Sequence, residues 1–248
     1  MRPPASRAAE AGNGELRERA LQALSTVIDP ELDEPITELR FVSSCTVSGD
    51  GELELRLRLP TPQCAPNFAF LMAADARRVL GRMPGVRGVR VVLEDHYTGQ
   101  EINAALAGGR GFTGAFPGET DDDDLESLRV LFTRKALTAR QSRVCERLLA
   151  AGMSADQVVG LHVAELPDDA DARRCVQLRA QLGIAADAAA PAFVLADGRP
   201  LTTDELDRWR RVGRLVRTSL EANGGICRSL LQVRHGLSSS DEHEEVTR

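Results

Sequence analysis

Leu53-Glu54-Leu55-Arg56-Leu57-Arg58-Leu59-Pro60-Thr61-Pro62-Gln63-Cys64-Ala65-Pro66 is the stretch on which the fold turns. As far as Leu59, leucines alternate with Glu54, Arg56 and Arg58, the period of a strand with one buried and one wet face. Such a face fits an antiparallel sheet covered on one side. Three prolines follow, each fixing φ and removing an N–H donor. Beyond them Phe68, Met72, Ala76, Val79 and Met83 recur at helical spacing, and Pro84-Gly85 ends the run. The segment therefore predicts strand, stiff turn, helix. The turn carries one thiol, Cys64. A thiol held there is either a positioned reactive group or a small buried hydrophobe, the commoner fate of free cysteine.

Upstream, Leu16, Ala20, Leu24 and Val27 form a helical stripe from about Glu15 to Ile28, widened by Leu21 and Ile28. Asp29-Pro30 stops it, because a residue before proline is pushed out of the α region. Asp29, Glu31, Asp33 and Glu34 then make an acidic turn. Residues 41–48 read as a strand, and Gly49-Asp50-Gly51 is a hairpin signal into the leucine strand. Downstream, Val86 to Glu94 reads as a third strand. Helix, strand, strand, helix, strand predicts a small α+β domain, a sheet covered by helices.

The remainder differs in character. Residues 96–120 are glycine-rich and read as a linker with one short helix at Glu101–Leu106. Gly109-Arg110-Gly111-Phe112-Thr113-Gly114 matches a dinucleotide fingerprint literally, but no strand precedes it and no long helix follows, so the match is rejected. Asp121 to Asp124 read as negative charge at a helix N-terminus rather than a calcium loop. From Leu125 the chain reads as all-α. Capping-box patterns occur at Thr138-x-x-Gln141, Ser154-x-x-Gln157 and Thr202-x-x-Glu205, and Gly152, Gly183 and Gly224 sit near helix ends. The division is thus 1–13 disordered, 14–96 α+β, 97–124 linker, 125–236 helical and 237–248 a disordered acidic tail.

Charge supports two bodies and a tail. Residues 1–124 hold 13 basic against 20 acidic side chains, residues 125–236 hold 17 against 13, and residues 237–248 hold 1 against 4, within an overall −6. No apolar run reaches the roughly 18 residues of a membrane span, and the first residues lack a signal-peptide core, so a cytoplasmic protein is expected. Five scattered cysteines without a C-x-x-C pair suggest neither a disulfide framework nor a zinc ribbon. Neither H-E-x-x-H nor a P-loop occurs, and turnover of a small substrate is not expected.

In order and spacing, Asp29-Pro30-Glu31-Leu32, two strands, Thr61-Pro62-Gln63-Cys64-Ala65-Pro66, a helix and Gly85-Val86-Arg87-Gly88-Val89 resemble the iron–sulfur cluster assembly domain family, SufT- and PaaD-type proteins included. The resemblance covers about residues 14–96. It implies a small α+β fold and assembly or delivery of clusters or metal centres. Cys64 matches the family's reactive cysteine, Asp29 and Glu31 its acidic turn, and Thr61 its turn threonine. The usual turn has Cys directly before Pro; here Ala65 intervenes. A thiol beside a helix N-terminus faces unpaired N–H groups and the positive dipole end, a setting that favours thiolate. Since a cluster usually takes four thiolates, a single cysteine implies a shared, transient site.

The resulting expectation is a maturation factor for a client metalloenzyme such as an oxygenase. Cys64 would be a transient ligand for an iron–sulfur cluster or iron, and Asp29 and Glu31 a supporting turn. Thr61, His96 and Cys227 are weaker candidates: His96 follows carboxylates at a strand end, and Cys227 falls in a presumed turn after a helix. Cys45, Cys145 and Cys175 read as packing. Expected partners are the client, other cluster-assembly proteins or a second copy; nucleic acid and membrane are not expected. Two alternatives compete. One is a DNA-binding regulator using a helix-turn-helix-like segment at 139–162, although Asp156 to Leu161 holds no Arg or Lys. The other is a non-catalytic interaction scaffold, with Arg208, Arg210, Arg211, Arg214 and Arg217 as a solvated or client-docking face.

Overall fold

A computed structural model describes residues 4–236, with side chains from residue 12. The acidic tail expected at 237–248 lies outside the described residues, as do residues 1–3. The chain divides into two units: residues 1–126 with 224–248, and residues 127–223.

In the first unit, α1 (Pro4–Leu24) runs earlier and stops sooner than the periodicity suggested. Its backbone reaches into the stretch expected to lack structure. The expected stripe Leu16, Ala20, Leu24 and Val27 is buried throughout. The short pair β1 (Ile28–Asp29) and β2 (Glu34–Pro35) then folds the acidic segment back on itself.

The main sheet has the order β3 (Val42–Val47), β4 (Glu52–Arg58), β5 (Gly88–Glu94). β3 and β4 pair antiparallel across the predicted hairpin, where Gly51 adopts φ +85°. β4 and β5 pair parallel, Leu55 opposite Val91. The sheet is therefore mixed, not antiparallel. α2 (Pro66–Gly81) makes this possible: parallel strands need a crossover between them, and the helix supplies it. Leu53, Leu55, Leu57, Val91 and Leu93 are buried on one face, and α2 contributes Ala69, Phe70, Ala73, Ala76 and Leu80 to the core.

Residues 97–124 do more than link. They form α3 (Gly99–Ala107) and α4 (Phe112–Ala115), and Ile102, Ala105, Leu106 and Phe112 are buried. The Phe112 ring meets Phe70 edge-on at 5.5 Å. The glycine motif around it thus brings an aromatic ring into the core. Asp122 Oδ1 accepts from Glu126 N–H at 2.9 Å, the helix-start role read from the acidic run.

The second unit comprises most of α5 (Glu126–Ala150), then α6 (Ala155–Val159), a 3-10 turn (Val163–Glu165), α7 (Ala170–Gln181) and the first part of α8 (Thr203–His235). Its core packs Val144, Cys145, Val158, Phe193, Leu206 and Trp209, with Phe193 and Trp209 edge-on at 6.2 Å. Gly213 lets α8 close on α5: a Cβ there would lie 2.8 Å from the Ser142 side chain.

The capping signals divide. Ser154 and Gln157 form the reciprocal box of α6, with bonds of 2.8 and 3.2 Å. Ser154→Ala is expected to cost about 1 kcal/mol, read as a lower urea midpoint of Trp209 fluorescence. Thr138 lies inside α5, its hydroxyl donating to Arg134 O, so it starts no helix. Gly224 ends none either, since α8 runs unbroken to His235. Within the 139–162 segment α6 has five residues, and Val158 is fully buried with Val159 and Leu161 packed beside it. Among the described residues no helix is long and apolar enough to cross a membrane.

Candidate functional site

Cys64 sits where β4 hands the chain to α2. Pro66 opens the helix at its first turn, and Ala65, extended at φ −60° and ψ 127°, is the N-cap. The inserted alanine therefore places Cys64 one residue before the cap. Proline at that start wastes no hydrogen bond, because the first N–H groups of a helix have no partner within it.

Four hydrogen bonds hold the turn. Thr61 Oγ1 accepts from Gln63 N–H at 3.1 Å, and Thr61 O accepts from Cys64 N–H at 3.4 Å. Pro62 O accepts from Tyr97 N–H at 3.1 Å. His96 Nε2 lies 2.8 Å from Cys64 O. Its Nδ1 faces the Thr98 N–H at 3.3 Å and the Thr98 hydroxyl at 3.1 Å. The N–H can only donate, so Nδ1 accepts and the ring proton sits on Nε2, pointing at Cys64 O. Both ring nitrogens are engaged, and His96 braces the thiol's backbone instead of standing open as a ligand. Thr61 Oγ1 is 3.7 Å from Cys64 Sγ, so it both shapes the turn and touches the thiol.

The acidic turn reaches the same place. Asp29 Oδ1 accepts from Glu31 N–H at 2.8 Å and Leu32 N–H at 2.9 Å. This side-chain turn closes the segment between β1 and β2. Asp29 is buried, and burial outweighs those two bonds, raising its carboxyl from 3.8 to about 6. Asp29, Glu31 and Cys64 line one cavity of about 60 Å3, whose walls include Phe41, Leu59, Phe68 and Met72.

Cys227 completes the lining. The sequence suggested a turn; Cys227 is instead inside α8, in the part that belongs to the first unit. Burial raises its thiol to about 11, and the neighbouring Cys64, Asp29 and Glu31 add to the rise. Two arginines on the same helix fasten it. Arg228 pairs with Glu34 at 2.7 Å. Arg234 Nη1 donates to the carbonyls of Leu59 and Pro60, both at 3.1 Å, and its Nη2 meets Asp95 at 2.9 Å. Leu231, between them, is buried. Sequence reasoning missed this clamp. The Gly224-Gly225 pair reads as a helix end, and nothing local in the sequence says where the following residues dock.

Of the predicted residues, then, Asp29, Glu31, Cys64 and Cys227 share a cavity, while Thr61 and His96 hold the turn. Cys45, Cys145 and Cys175 are buried as expected. Among the described residues no group of three or more His, Cys, Asp or Glu side chains is placed to hold a metal ion. Two thiols in a partly apolar cavity suit a soft, transiently held metal better than a permanent cage.

Known proteins show the same segment. The family described as iron–sulfur cluster assembly protein matches residues 17–92. An uncharacterized protein of Methanocaldococcus jannaschii is 30% identical over 90 residues, 36% of this chain and 93% of the relative. Iron–sulfur cluster carrier proteins of Mycobacterium tuberculosis and Deinococcus radiodurans are each 34% identical, over 82 and 76 residues. Those matches cover 33% and 31% of this chain and 21% of each carrier, so the chain spans about a fifth of the carriers' length. No solved structure matches. With 93% of the Methanocaldococcus relative covered, and with the hairpin, the thiol turn and the helix after it inside the matched segment, the chain belongs to the iron–sulfur cluster assembly protein family.

Proposed function

We propose that this protein assembles or carries iron–sulfur clusters, or the iron destined for them, and passes them to a client metalloenzyme. The cluster or iron is cargo, and the protein turns over no small substrate. One observation carries the reading: Cys64 is partly exposed on a turn whose backbone is held by four hydrogen bonds. A thiol so placed can meet a ligand without reorganising. Two protein thiols leave a metal's other positions open for ligands from a partner protein or a second copy. The helical unit would recognise the client, with Arg208 and Arg211 as its outward charges; Arg210 is paired with Glu146 at 2.9 Å. The kinship to proteins named iron–sulfur cluster carriers supports the class of cargo, though the client is not named by it.

Anaerobic reconstitution of the full chain with iron(II) and a sulfide source tests the reading. The wild type is expected to gain iron and acid-labile sulfide. Cys64→Ser should bind at least about tenfold more weakly, since even outer-shell changes cost that much at metal sites. Equal loading of the variant would remove Cys64 from the mechanism. Equal client maturation by that variant, with maturation lost on deleting the helical unit, would favour the scaffold reading.

A further inference from the structure

The family match stops at residue 92, but the site does not. A second thiol arrives from residue 227, on a helix segment that belongs to the same compact unit. Cys64 and Cys227 line one cavity, with Asp29 and Glu31 at its polar side. About 60 Å3 accommodates one ion and a water, which needs about 10–15 Å3 of such space. The segment is not laid there loosely. Arg228, next to Cys227, pairs with Glu34, the last carboxylate of the acidic turn and the first residue of β2. Arg234 grips Leu59 O and Pro60 O, the first residues of the thiol's own turn. The clamp thus holds the turn of one thiol and the helix of the other together.

We propose that Cys64 and Cys227 form a two-thiol site that takes up one thiophilic divalent cation, iron(II) being the cargo. Iron as cargo rests on the functional reading above; the pairing of the thiols stands without it. Uptake needs no oxidant or reductant. Two S–H bonds break, two sulfur–metal bonds form, and two protons leave to solvent. Thiolate ligands select soft and borderline metals. Negative charge from Asp29 and Glu31 lowers the cost of a cation in the cavity. With two of four tetrahedral positions left to water, an incoming ligand can bind before either thiolate lets go. The appended helix thereby turns a one-cysteine site into one that holds an ion and still releases it.

Cobalt(II) added anaerobically to the full chain reads the site by sulfur-to-cobalt charge-transfer absorbance. One equivalent should saturate the wild type. Cys64→Ser and Cys227→Ser should each weaken binding at least about tenfold and lower the absorbance per bound cobalt by about half, as expected for one thiolate in place of two. A Cys227→Ser protein that titrates like the wild type overturns the proposal. A second measurement needs no variant. Phenylarsine oxide joins neighbouring thiols: two sulfur–arsenic bonds form, and the arsenic-bound oxygen leaves as water with the two thiol protons. After trypsin, the adduct should link peptides 59–77 and 218–228; absence of that link also overturns the proposal. Failure of the functional reading looks different. It would appear as intact two-thiol cobalt binding in a protein that takes up no iron and sulfide.

Discussion

Arg179→Ala is expected to lower the unfolding free energy of the helical unit by about 3–5 kcal/mol, since it leaves buried carbonyls without donors at about 1–3 kcal/mol each and opens a cavity. Arg179, on α7, is 1% exposed. Its guanidinium donates through Nη1 to Pro191 O at 2.8 Å and Ala185 O at 3.3 Å, and through Nη2 to Ala192 O and to Gln141 Oε1 at 3.3 Å. Gln141 extends the network, donating to Val194 O at 3.1 Å and accepting from Val194 N–H at 2.9 Å. An irregular segment between α7 and α8 thus has its buried carbonyls satisfied by one arginine and one glutamine, where a strand or helix would have satisfied them from its own backbone. Burial lowers the guanidinium's pKa, and carbonyl dipoles meet its charge. Alanine leaves several acceptors without donors and opens a cavity as well. Arg179→Met keeps much of the bulk and should cost less than alanine while still failing the carbonyls. Trp209, the chain's single tryptophan, lies in the same unit's core and reports its unfolding in urea. A midpoint unchanged in Arg179→Ala would mean that the segment is held by its other contacts.

That network also marks where the sequence stops being legible. Leu53, Leu55 and Leu57 announce their buried face through alternation, and the structure buries each of them. The hairpin, the start of α2 at Pro66 and the cap at Ser154 are local too, set by residues within a turn of each other. Arg179 gives no such signal, because its partners lie six, twelve, thirteen and 38 positions away. Arginine at an apolar position looks like surface until the loop that it serves is placed. The parallel pairing of β5 is compatible with α2, since parallel strands need a crossover of a dozen or more residues between them. The site divides in the same way. Thr61, Cys64, Asp29 and Glu31 are contained in two short motifs. Cys227 comes from far along the chain, on a helix that runs through the paired glycines 224 and 225. Each glycine costs about 1 kcal/mol against alanine in a helix interior, a penalty that docking of Leu231 and the two arginine clamps can offset. Local propensity is a weak guide wherever tertiary contacts of that size compete with it.

Asp29→Asn should stabilise the first unit at pH 7, by up to about 3 kcal/mol, and remove a pH dependence that the wild type shows. Asparagine keeps an oxygen to accept from the Glu31 and Leu32 N–H groups but carries no charge. The folded carboxyl titrates near 6 against 3.8 when unfolded, chiefly because the folded state buries it. Below 3.8 both states hold the proton, and Asp29 imposes no penalty. As pH rises from there, the unfolded chain releases its proton while the folded chain keeps it, so stability falls until pH passes 6. A difference of about two units at about 1.4 kcal/mol each gives the figure above. Asp29→Ala acts in the opposite direction at low pH. It leaves two N–H groups without their acceptor, and should cost about 1–3 kcal/mol where the wild-type carboxyl is protonated. Urea-dependent labelling of Cys45, buried in this unit, supplies the readout, with Cys175 in the other unit as the internal control. The Asn and wild-type midpoints should coincide near pH 3.5 and separate steadily to pH 7. Parallel midpoints across that range would show that the buried charge carries no penalty. If they separate, the wild type keeps an ionised carboxylate beside two thiols at a measurable cost in stability. Such a cost is commonly tolerated where function uses the group, and here a cation entering the Cys64–Cys227 cavity would recover it by neutralising the charge.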